Sequence, residues 1–111
     1  MKDFLEYRGF IGSVHFSAED KIFHGKIEGI NGLITFEGST VDELETGFHY
    51  MVDEHIKDCE EEGIPLEKSY KGSFNIRISP DLHRRAVQTA IRRGLSLNQL
   101  VNDVLIKELR Q

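Results

Sequence analysis

Asn75 and Arg77 stand side by side on one edge of a short alternating run, "SFNIRIS", at residues 73–79. Ser73 completes the polar row, while Phe74, Ile76 and Ile78 take the alternate positions. In a strand, successive side chains point to opposite faces, so the polar and apolar sets separate cleanly. Arginine pairs bidentately with guanine and asparagine with adenine, and a two-stranded ribbon is narrow enough to enter the major groove of B-DNA. Ser73, Asn75 and Arg77 on an open ribbon face therefore point to base reading.

The other reactive side chains do not assemble into a catalytic pattern. Ser13 and His15 share one side of "GFIGSVHFS", but no orienting acid and no Gly-x-Ser-x-Gly turn accompanies them. Two-metal nuclease chemistry needs clustered carboxylates, one of them near the middle of a first strand, and "GFIGSVHFS" contains none. The acids at Asp42, Glu43, Asp53, Glu54, Asp58 and Glu60 to Glu62 fall mostly on the solvated side of a helix. His55 and Cys59 are four residues apart and supply only two metal ligands. The expectation is a protein without catalytic residues, metal or cofactor.

The elements that must position these residues fall into two groups. Residues 9–17 read as a strand with Phe10, Val14 and Phe16 on one face, residues 22–29 as a second, and "LITFEG" as a third. Asn31-Gly32 between the last two is a strong hairpin signal. Thr40 followed by Glu43 forms a capping box, after which Val41, Leu44, Phe48, Val52, His55, Ile56 and Cys59 recur at helical spacing until Gly63. A β-meander with one long helix packed on it is predicted for residues 1–66. Residues 67–72 read as a linker, in a stretch of Gly, Pro and charge that starts at Gly63.

Residues 73–111 read as strand, helix, helix. Ser79 caps the first helix with Pro80 at its first position, and Gly94 closes it. Ser96 caps the second. About 40 residues cannot build an adequate core alone. The economical solution is a dimer in which the strand pairs antiparallel with its copy, burying Phe74, Ile76, Ile78, Leu82, Leu97, Val101, Val104 and Leu105.

The run "SFNIRISPDLHRRA" followed by "RRGLSLNQLV" resembles the ribbon-helix-helix family of DNA-binding proteins. That resemblance implies that the backbone around Ser96, Leu97 and Asn98 holds a DNA phosphate. The start of a helix suits this, since its N–H groups are free and its dipole end is positive. The earlier landmarks, "FHGKIEGINGLITFEG" and "VDELETGFHYMVDEHIKDCEEEG", extend the likeness over essentially the whole chain, which is similar to the HicB antitoxins. The resemblance implies an α+β chain with a partial RNase H-like domain joined to the DNA-binding domain. It also implies neutralisation of a small RNA-cleaving HicA toxin and repression of the operon through operator DNA.

Charge divides along the same line. Residues 1–71 carry 7 Lys+Arg against 16 Asp+Glu, and residues 72–111 carry 7 against 3. An acidic body and a basic tail suggest two partners of opposite charge. A toxin that binds RNA presents a basic surface, which the acidic unit could steer to and cover. A homodimer through residues 73–111 is expected, and it could pair further into a tetramer. No apolar run approaches the ~20 residues of a membrane span. With one cysteine and a charged start, "MKDFLEYRGF", a cytoplasmic protein is expected. The second reading is a stand-alone ribbon-helix-helix regulator whose N-terminal unit senses a ligand or oligomerises.

Overall fold

The computed structural model describes residues 3–110, which divide into two compact units between Tyr70 and Lys71. Its architecture is α+β, with two small antiparallel sheets and three helices.

The first unit opens with a hairpin absent from the sequence reading. Strands β1 (Phe4–Tyr7) and β2 (Phe10–Ser13) pair with Tyr7 opposite Phe10, leaving Arg8 and Gly9 as a two-residue turn. Both turn residues have positive φ, 51° and 84°. That geometry matches the right-handed twist of the flanking strands, and it usually recruits Asn-Gly or Asp-Gly. Arginine at positive φ is strained. Its guanidinium is held by Asp53 at 2.9 Å.

The second sheet contains β3 (His15–Ser17), β4 (Ile22–Lys26) and β5 (Thr35–Gly38), in that order. The single strand expected over residues 9–17 is therefore broken at Val14. Its cause is a crossing of backbones. Gly25 passes so close to Ser13 that a Cβ on it would overlap the Ser13 carbonyl. There the Ser13 hydroxyl accepts from the Lys26 N–H at 3.1 Å. Beyond the crossing, Gly12 bridges to Ile27, and the Glu28 N–H donates to the Ile11 carbonyl at 2.8 Å, so β2 continues along the end of β4. The break resets the alternation. Phe10 is buried as expected, but Phe16 is 57% exposed and lies against Phe23, ring centroids 5.1 Å apart.

Asn31-Gly32 also differs from its expected role. The β4–β5 connection closes with the Ile27 N–H donating to the Ile34 carbonyl at 3.0 Å, so the dipeptide bends a wider loop. That width lets Ile30 turn inward and join the core.

Helix α1 (Val41–Glu62) covers the sheets. Thr40 caps it, its side chain accepting from the Glu43 N–H at 3.1 Å. The Glu43 carboxylate reaches back one residue further than a standard box and accepts from the Ser39 N–H at 2.9 Å. Gly63, at φ 66°, ends the helix. Leu44, Phe48, Val52, His55 and Cys59 are its buried stripe. Val41, expected in that stripe, is exposed, since it precedes the first turn that meets the sheet. Phe10, Ile27, Ile30, Phe36, Leu44, Phe48 and Val52 form one core. Burying an aliphatic or aromatic side chain of this kind contributes about 1.5–3 kcal/mol.

The second unit holds α2 (Pro80–Arg92) and α3 (Leu97–Leu109). Ser79 caps α2 through the Leu82 N–H, with Pro80 at the first position. The turn between the helices is a Schellman closure: the Leu95 N–H donates to the Ala90 carbonyl at 2.9 Å, and the Gly94 N–H to Ile91 at 3.1 Å. Gly94 supplies the positive φ of 69° that this requires. Ala90 and Leu100 are the buried side chains of this unit.

Candidate functional site

Residues 73–79 form no strand in the single chain. A strand needs a partner to take its backbone N–H and C=O groups, and none of the described residues pairs with this segment. Ser73, Asn75 and Arg77 are exposed as the sequence reading requires. The expected apolar face is exposed with them: Phe74 at 73%, Ile76 at 61% and Ile78 at 40%.

The helices show the same open face. Of the expected dimer core, Leu82, Val104 and Leu105 are exposed, while Leu97 and Val101 are half-buried. Ile91, Ile106 and Leu109, which that core does not include, are exposed as well. Leu105, Ile106 and Leu109 line an open apolar groove, with Asn102 and Arg110 at its edges. Isolated exposed side chains are ordinary, but a set of this size along two helices and the preceding segment marks an interaction surface.

The start of α3 has the geometry for an anion. Ser96 Oγ accepts from the Gln99 N–H at 3.1 Å, and Gln99 Oε1 accepts from the Ser96 N–H at 2.8 Å. This complete capping box leaves the N–H groups of Leu97 and Asn98 at the positive end of the helix. Basic side chains accumulate nearby in sequence. Arg84 is engaged by Asp81 at 2.7 Å, and Arg77, Arg85, Arg92 and Arg93 are exposed.

In the first unit the reactive residues are put to structural use. Ser13 bonds the Lys26 backbone, and His15 lies beside His24 across the β3–β4 pair, ring centroids 5.5 Å apart. His55 packs edge-on against Phe10 and pairs with the Leu66 carbonyl, Nε2 to oxygen 2.8 Å. The Cys59 sulfur lies beside the same ring, 3.8 Å from Nδ1 and 3.7 Å from Nε2. Among the described residues, no three His, Cys, Asp or Glu side chains are grouped to hold a metal ion.

One surface cluster escapes a sequence reading altogether. Asp53 on α1 accepts from Tyr7 at 3.2 Å and from Arg8 at 2.9 Å, while the Tyr7 ring stacks on His49 at 4.0 Å. The Arg8 bond holds the Asp53 carboxyl below its ordinary range. The hydrogen bond to Asp53 pushes the Tyr7 phenol up. These residues are 45 positions apart, so only the fold brings them together. The cluster clasps the strained turn to the helix.

The HicB family model matches residues 55–105, a little under half of the chain. The match runs from the end of α1 through α2 and most of α3, and it leaves out the strands. It covers a shorter span than the whole-chain likeness read from the sequence. No curated protein and no solved structure matches the chain.

Proposed function

We propose that this chain is an antitoxin of the HicB family, paired with a HicA-like RNA-cleaving toxin and repressing its own operon. The match over residues 55–105 carries the reading. It spans the segment where the polar row and the two capped helices lie. In this reading the acidic first unit, a partial RNase H-like domain, binds the toxin. The second unit dimerises as a ribbon-helix-helix. Residues 73–78 of two chains pair into a ribbon, and Phe74, Ile76 and Ile78 close onto Leu82, Leu97, Val101, Val104 and Leu105 of both copies. Ser73, Asn75 and Arg77 then face the major groove, and the turn at Ser96, Leu97 and Asn98 grips a phosphate. The protein acts in the cytoplasm by binding, with no chemistry of its own.

Two measurements test this. Co-expression with the toxin encoded beside it should restore growth, and the purified chain should retard its own promoter DNA over a scrambled duplex. Rescue without DNA binding would remove the repressor half. DNA binding without rescue would favour the stand-alone regulator, a reading left open because the match omits the strands of the first unit.

A further inference from the structure

Gly47 sits inside α1, where glycine is less favourable than alanine. Most glycines of the first unit have an evident reason. Gly9, Gly29, Gly32 and Gly63 have positive φ. Gly12, Gly25 and Gly38 face backbone or rings too closely for a Cβ. Gly47 has neither reason. A Cβ there would stand 3.5 Å from the Glu37 carbonyl oxygen and 3.8 Å from Phe36 Cβ, which are ordinary contacts.

Gly47 lines a groove on the surface of α1. Asp42, Thr46 and Tyr50 follow one another at four-residue spacing, Glu43 and Gly47 form the neighbouring row, and the five line a shallow, mostly apolar trough. Asp42 and Glu43 lie at one end, with the Glu43 carboxylate fixed by the Ser39 N–H. Tyr50, 61% exposed, lies at the other. A long aliphatic stem fits over the bare glycine, with its cation among the carboxylates and the aromatic ring. The surrounding charge selects the same occupant, since residues 1–71 hold 16 Asp+Glu against 7 Lys+Arg.

We infer that this groove receives an arginine or lysine side chain from the toxin, with Gly47 as its floor. The inference rests on the antitoxin reading. It is tested by titrating the full chain with an inactivated variant of the toxin encoded beside it. Gly47→Ala, Tyr50→Ala and Asp42→Lys should each weaken binding by ~10-fold or more, the scale of a hot-spot loss. Gly47→Ala should at the same time melt higher than the unaltered chain. Glu61→Lys, about 21 Å from Gly47 along the helix, should change affinity by less than ~3-fold.

Undiminished binding by Gly47→Ala and Tyr50→Ala would overturn the groove while leaving the antitoxin reading intact. So would a lower melting temperature for Gly47→Ala, which would show that packing demands the glycine. Equal losses from Glu61→Lys and Asp42→Lys would reduce the effect to long-range charge and also overturn it. No binding by the unaltered chain would remove the antitoxin reading and the groove together.

Discussion

Arg77 and Asn98 are both exposed polar residues of the second unit, yet their loss should be felt differently. Arg77→Ala removes a group suited to guanine, so it should cost roughly 1–3 kcal/mol per contact and relax preference at that base pair. A symmetric site doubles the loss. Asn98→Ala, beside the expected phosphate turn, should weaken binding more evenly across sequences, because phosphate contacts carry no base information. Affinities for operator and scrambled DNA at several salt concentrations separate the two, and full discrimination by Arg77→Ala would show that the ribbon face is not the reader. The clasp at Asp53 makes a different kind of prediction. Its carboxyl titrates below the ordinary range because Arg8 bonds the charged form. The clasp's stability is therefore present above the ordinary aspartate range and is lost as pH falls through the lowered one. Tyr7 works in the opposite sense: its raised phenol favours the fold up to the ordinary tyrosine range and loses that contribution at higher pH. Melting curves of the wild type and Asp53→Asn should differ modestly at neutral pH, as suits half-exposed groups, and converge in acid. A gap that persists well below the aspartate range would show that the carboxylate charge is not what holds the turn.

At the scale of elements, what was legible in the sequence was local. Thr40, Ser79, Pro80 and Ser96 begin helices where their side chains dictate, and Gly63 and Gly94 end them, because caps are satisfied within a few residues. Illegible were the contacts between distant positions. The crossing of Ser13 and Gly25 that splits the first strand depends on a backbone approach no periodicity records. The Arg8-Gly9 turn lacks the usual asparagine and depends on Asp53, far away in the chain. Of the candidate interface, residue types and faces were readable, whereas the groove at Gly47 has no sequence signal beyond the helical spacing of its lining residues. The segment 73–78 lies between these cases: its alternation is plain, but no described residue pairs with it, and the proposed partner is a second copy. Ile76→Ser in the full chain should therefore shift sedimentation from dimer to monomer, since each apolar truncation in such a core costs about 2–5 kcal/mol and a dimer carries two. The circular dichroism of the first unit should be unchanged. An equally tight Ile76→Ser dimer would place the contact elsewhere, with the exposed Ile106 and Leu109 the first place to look.

At the scale of the whole molecule, charge and structure divide the chain at nearly the same place. The acidic excess ends at Lys71, and the compact units meet between Tyr70 and Lys71. The stretch from Gly63 to Gly72 looks uniform by composition and by exposure. Its hydrogen bonds make it uneven. Ile64 is tied to Cys59 and Leu66 to His55, and the Lys68 N–H donates to the Gly29 carbonyl at 3.0 Å. Beyond Lys68 no such tie recurs among the described residues until the cap at Ser79. A protease must draw several residues of chain into its cleft, so it reports backbone ties rather than surface area. Trypsin should cut after Lys71 well before Lys68, releasing the acidic unit with its tail still attached. His55→Ala, which removes one tie, should bring the two rates together. Equal rates in the unaltered chain would mean that the imidazole holds nothing. Earlier cutting at Lys71 that is lost in His55→Ala would mean that the small buried histidine four residues from a lone cysteine decides where the two halves of this protein come apart.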